Sequence, residues 1–132
     1  MRNVKLVIPG ELMTLNQYVN KQRTNRFVAN GAKQKFTNIV KNEVLKNKKE
    51  NPKFKIPFPS KLKIIWYRKN KRSDPDNIAF AKKFILDGIM KAGELDNDNW
   101  ANVLGFEDHF RIDKDNPRTE VEFIEPEKEE VK

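Results

Sequence analysis

Two different apolar periods run through this chain, and their order limits what it can fold into. Between Ala32 and Asn47 the apolar residues Ala32, Phe36, Ile39, Val40 and Val44 recur three to four positions apart, with lysines between them. That spacing predicts a helix with one buried face. Elsewhere the period is two. Leu62, Ile64 and Trp66 alternate with Lys61, Lys63 and Ile65, and Val121 and Phe123 alternate with Glu120 and Glu122; both read as strands. Val4 to Ile8 reads as a first strand closed by Pro9-Gly10, and Val103 to Ile112 as another, interrupted at Gly105. A second helix is expected from Pro75 to Ala92. Asp74-Pro75 suits its start and Gly93 its end. Its buried stripe would be Ile78, Ala81, Phe84 or Ile85, and Ile89. The order strand–helix–strand–helix–strand–strand predicts an α+β domain, a small mixed sheet with two main helices packed on it.

The stretches between these elements read as follows. Residues 11–30 are polar and irregular and are expected to form a loop. Lys48 to Pro52 breaks the first helix, and 51–60, with Pro52, Pro57 and Pro59, is a connector within the domain. Residues 125–132 look like a solvated, charged tail, which leaves 1–124 as a single domain. Trp66, Tyr67, Phe106 and Phe110 are candidates for the core or an interface, with the core favoured. The chain has no cysteine. Disulfides and thiolate metal sites are thereby excluded, and a reducing cytoplasm is the expected setting. No run approaches the roughly 18 apolar residues of a membrane span, and the N-terminus lacks the pattern of a signal peptide.

Charge is divided unevenly. Residues 1–72 hold 19 Lys/Arg against 3 Asp/Glu, and residues 73–132 hold 8 against 16; the whole chain is +8. A basic half of this kind suits a polyanion such as a nucleic-acid backbone, whose counterions are released on binding. The acidic half would repel the same partner unless a divalent cation neutralised it. Lysines that only solvate a surface are the plainer alternative.

The segment Ser73-Asp74-Pro75-Asp76-Asn77 sets two carboxylates two residues apart where a basic turn enters a helix. Asp74 outside the helix and Asp76 in its first turn could converge on one point. Leu95-Asp96-Asn97-Asp98-Asn99-Trp100 adds a second acidic loop past the helix. Magnesium prefers oxygen ligands and keeps several waters, so two or three aspartates could hold one or two such ions. Ions held in this way activate water and stabilise charge at a phosphate undergoing displacement. With one histidine and no cysteine, zinc or thiol chemistry is disfavoured. In the plainer reading Asp74 caps the helix, Asp76 favours its dipole, and the 96–99 run is a polar loop. That run also lacks the central Gly and final Glu of a calcium-binding EF-hand loop. A helix of 17 residues is about 25 Å long, so Asp98 must either fold back to Asp74 and Asp76 or come from a second subunit.

Taken together, Asp74-x-Asp76-Asn77, a helix carrying lysine and aspartate, Lys91-Ala92-Gly93, and Asp98 five residues beyond that glycine resemble the RusA family of Holliday-junction resolvases. The first strand ending at Pro9, followed by Asn16 and Tyr18, agrees with the resemblance, which spans about residues 4–124. Where an arginine often precedes the first aspartate of the family, this chain has Ser73, with Arg72 one place earlier. The resemblance implies metal ligands at Asp74, Asp76 and Asp98, with Asp96 the alternative to Asp98. It implies a catalytic lysine at Lys83, with Lys82 the alternative. The expected cofactor is Mg2+, or Mn2+. The expected partner is branched DNA, a four-way junction cut by paired incisions in recombination and repair. A homodimer is expected, often phage- or prophage-encoded; its two-fold symmetry would match that of the junction. Lys21, Arg23 and Arg26 could clamp a DNA arm, and Arg68, Lys69, Lys71 and Arg72 could grip the cut backbone. His109 reads as structural. A branched-DNA-binding module without catalysis and a nuclease for flaps or forks are the alternatives; an RNA-binding protein is a weaker one.

Overall fold

The computed structural model describes residues 3–126; the expected tail at 125–132 therefore lies outside the described residues from 127 onward. Strands β1 (Asn3–Pro9), β2 (Ser60–Arg68), β3 (Val103–Ile112) and β4 (Arg118–Ile124) form one mixed sheet in the order β1-β4-β2-β3. β4 runs antiparallel to both β1 and β2, while β2 and β3 are parallel. Parallel neighbours need a long crossover. Here it is the second helical segment, α3 (Pro75–Ala79) and α4 (Lys82–Lys91). The small α+β domain read from the two periods is what the chain forms.

Strand alternation decides which sheet face is covered. Leu6, Ile8, Leu62, Ile64, Trp66, Val121 and Phe123 all point to one side and are buried. The other side is laced by ion pairs, Lys5 with Glu120, Lys61 with Glu107, and Arg118 with Glu120 and Asp113. Helices α1 (Leu15–Thr24) and α2 (Arg26–Glu50) join α3 and α4 in covering the apolar face. Phe84, Ile85 and Ile89 of α4 are fully buried, with Ile78 and Ala81 almost so. Both candidates at positions 84 and 85 thus enter the core.

α4 crosses α2 closely at Gly88. A methyl group added there would stand 2.5 Å from the Val40 Cβ and 2.8 Å from the Thr37 carbonyl oxygen, so only glycine fits without movement. The helix then stops at Gly93, whose φ of +83° suits glycine. The Gly93 N–H bonds the Met90 carbonyl and the Glu94 N–H that of Ile89, the paired bonds that close a helix through a left-handed residue.

Three expectations about local structure change. The loop read at 11–30 holds helix α1. Its start is Thr14, whose side chain accepts from the Gln17 N–H while Gln17 accepts from the Thr14 N–H. Asn25 then ends α1 and starts α2, accepting from Phe27 and Val28 through its side chain. The helix read at 32–47 accordingly runs from Arg26 to Glu50. The helix read at 75–92 is broken at Phe80-Ala81, where the N–H groups of Ala81, Lys83 and Phe84 reach back only three residues. Phe80 sits at this step between Tyr18 of α1, 5.8 Å away, and Phe84, 5.7 Å away. Tertiary packing accompanies the break, and neither Gly nor Pro marks it.

The aromatics divide. Trp66 is buried and its indole N–H bonds Asp108 at 2.9 Å. Phe110 packs on the core, Tyr67 lies on the ion-paired face beneath Arg118, and Phe106 is 42% exposed on the edge strand.

Candidate functional site

The topology fixes where the two acidic segments lie. β2 and β3 start together, with Ser60 opposite Val103, and finish together, with Arg68 opposite Ile112. Asp74 follows the end of β2, and Asp98 precedes the start of β3. The nine residues of β2 separate these ends by about 26 Å, eight steps at roughly 3.3 Å each. Within one chain Asp98 therefore does not join Asp74 and Asp76. Among the described residues no group of three His, Cys, Asp or Glu side chains is placed to hold a metal.

At the Asp74 end, a cleft of about 480 Å3 is lined by Asp74 with Lys71, Ser73, Phe110, Arg111 and Ile112. Asp74 holds the cap position of α3, yet its side chain makes no capping bond. The plainer role of helix cap is thus not the one this carboxylate performs. Asp76 lies in the first turn, exposed, with one oxygen accepting from the Asn77 N–H. Neither carboxylate forms an ion pair with a described residue, although Lys71 and Arg72 stand exposed beside them. Two unpaired oxygen donors on a basic rim can accept a hydrated divalent cation. Arg111 enters the cleft because β3 runs parallel to β2, a placement that strand periodicity alone did not reveal.

The basic residues do different things. Arg68 is tied inward: its guanidinium donates to the Leu12 carbonyl at 3.2 Å and pairs with Glu11 at 3.4 Å. Burial lowers its pKa, against the raising effect of Glu11. The Lys69 N–H also donates to Glu11, at 2.8 Å. Lys71, Arg72, Arg23 and Arg26 are exposed, and Lys21 lines a groove between α1 and α2.

The two candidate lysines also differ. Lys82 turns toward β3, pairing with Asp108 and lying 4.6 Å from the Phe106 ring centroid. Lys83 is half exposed on the opposite flank, its ammonium 3.8 Å from Asp87. Of the two, Lys83 is the less restrained. His109 lies on the ion-paired face, 2.6 Å from Glu107. Hydrogen bonds from His109 and Lys61 hold the Glu107 carboxyl at about 2.

At the opposite end, Asp98 lines a shallow hollow with Leu86, Trp100, Leu104 and Phe106. Asp96 is exposed nearby, outside that lining. The surface is apolar: Trp100 is 96% exposed and Leu104 50%. Among the described residues β3 is the outer strand of the sheet, so one side of its backbone has no strand partner there. Glu94 anchors this end, accepting from the Ile56 N–H and pairing with Lys48.

These features define a small α+β domain with an open apolar edge and a basic, carboxylate-bearing cleft. No protein-family model and no curated protein sequence matches the chain. No helix among the described residues is long and apolar enough to cross a membrane.

Proposed function

We propose that this protein is a magnesium-dependent endonuclease of branched DNA, acting on four-way junctions as a two-fold dimer in the manner of the RusA family it resembles. One observation carries the reading. Asp74 and Asp76 are both exposed at one helix start, Asp74 lining the cleft and Asp76 outside its lining, with no ion pair to a described residue and, for Asp74, without the capping bond its position offers; exposed Lys71 and Arg72 precede them in the chain. Carboxylates without an ion-pair partner, Asp76 keeping only the Asn77 N–H on one oxygen, are available to a hard cation.

Two oxygen donors suit magnesium, which keeps much of its water shell. When bound, the ion would supply Lewis-acid activation at the scissile phosphate. Asp74 and Asp76 would hold it, Lys71, Arg72 and Arg111 would bind the backbone, and Lys83 would offer a further positive charge. The missing third aspartate has a simple source. Antiparallel pairing of β3 with β3 of a second copy would set the end of one strand beside the start of the other. Asp98 of the partner subunit would then approach Asp74 and Asp76, and the exposed Leu104, Phe106 and Ile112 would be covered.

The test is cleavage of a labelled synthetic four-way junction and a matched linear duplex, in magnesium and in chelator. Paired, magnesium-dependent nicks in the junction alone are expected, lost in Asp76→Asn while junction binding persists. Binding without cleavage in any divalent metal would overturn the enzyme reading and leave a branched-DNA-binding module.

A further inference from the structure

The groove between α1 and α2 shares no lining residue with the cleft at Asp74 or the hollow at Asp98. The chain from Leu12 to Asn42 contains six Lys/Arg and no Asp or Glu. None of those six cations pairs with a described acidic residue. Within this acid-free stretch the two helices enclose a groove of about 620 Å3, in the range of ligand-sized clefts.

Its two walls differ in chemistry. Val28, Ala32 and Phe36 recur every four residues along α2 and make one wall apolar. Val28 is 48% exposed, so the strip meets water. The wall from α1 is polar, with Gln17, Asn20 and Lys21, and Lys35 also lines the groove. The Gln17 carbonyl oxygen is already bound to the Thr14 N–H, which leaves its amide hydrogens free to donate. The Asn20 side chain makes no bond within the described chain and offers both a donor and an acceptor. An apolar wall with an aromatic ring, amide groups opposite it, two ammonium groups and no carboxylate together match a nucleotide. The base would stack, its edge would meet the amides, and its phosphates would meet the lysines.

We propose that this groove holds an unpaired nucleotide of the DNA substrate, with its base on the Val28–Phe36 wall and its phosphates on Lys21 and Lys35. The inference rests on the DNA-binding reading above and deepens it. A paired duplex presents its bases stacked and enclosed, whereas a branch point or single strand can release one. The groove therefore distinguishes branched from linear DNA.

Binding is measured by fluorescence anisotropy on the full chain, in chelator so that nothing is cut. The probes are a short oligothymidylate, a four-way junction and a matched linear duplex. Val28→Asp, and separately the pair Lys21→Gln and Lys35→Gln, are expected to weaken oligothymidylate and junction binding about tenfold, the scale of one stacked base. Duplex binding should change by less than about twofold, as its backbone would be held elsewhere. A 2-aminopurine at the branch point should change its fluorescence on wild-type protein and not on the variants. These side chains lie on the surface, so the fold should survive, and circular dichroism checks it. Equal loss on all three DNAs would reduce the groove to a general phosphate contact and overturn the inference. Unchanged binding by both variants would overturn it as well, leaving the parent reading intact. If the wild-type protein binds none of the three, both fall together.

Discussion

The two ends of the β2–β3 pair are made of opposite materials. At one, Asp74 shares a cleft with Lys71 and Arg111, and Arg68 is pinned beneath them to Leu12 and Glu11. At the other, Asp98 sits among Trp100, Leu104 and Phe106 on an unpaired sheet edge. The first surface carries exposed cations and the second exposed apolar side chains. If the proposed reading holds, these are two dissimilar half-sites, carried at opposite ends of the β2–β3 pair and joined by the α3–α4 crossover.

Mixing two inactive variants probes that division most severely. Asp76→Asn and Asp98→Asn are each expected to lower junction cleavage about a thousandfold, the scale of several kcal/mol of metal-assisted stabilisation. Co-refolded in equal amounts, they should recover about a quarter of the wild-type sites, because random pairing makes half the dimers mixed and each mixed dimer has one intact site. Cleavage that stays at the level of the separate variants would mean that each site is built within one chain.

The strut between the ends comes next. Gly88→Ala forces a methyl group into Val40 and the Thr37 carbonyl. A loss of about 2–3 kcal/mol in urea unfolding is expected from overpacking. An unchanged midpoint would show that α2 and α4 yield easily at this crossing.

The smallest effect concerns the clip at the Asp98 end. Burial pushes the Glu94 pKa up, but the Ile56 N–H and Lys48 outweigh it, so the net direction is down from 4.5. A depressed carboxylate contributes stability above its unfolded pKa and loses it as pH falls through the lower folded value. Glu94→Gln should therefore be less stable by about 1 kcal/mol at neutral pH, the scale of a net hydrogen bond. The difference should close in acid, below pH 4.5. Thermal melts across that range decide it, and a gap that persists at the acid end would deny Glu94 its charged role.

Much of this was legible beforehand, for identifiable reasons. Period-two segments such as Leu62-Lys63-Ile64 became strands with the expected buried face, and Ile78, Ala81 and Ile89 became the core stripe. The helix α1 was missed because its apolar spacing is brief, Leu15, Tyr18 and Val19 at i, i+3 and i+4 among polar residues, and none of its residues is fully buried; that spacing and the capping pair Thr14 and Gln17 were its signals. The break at Phe80-Ala81 had no local marker. Asp74 and Asp76 were read as a pair from their spacing, but the distance to Asp98 depended on whether β2 and β3 run parallel. Strand pairing is a long-range property, and periodicity within each strand does not encode it. Arg68 looked like any other member of a basic run, and only the fold turned it inward.

The unpaired edge of β3 also bears on abundance. If two copies must meet before either cutting site is complete, activity at protein concentrations below the dimer's dissociation constant rises with the square of the concentration. Scarce copies would then search DNA without harming it, and a modest rise in synthesis would bring a steep onset of cutting. The open edge would act as a threshold set by mass action, with no separate inhibitor required.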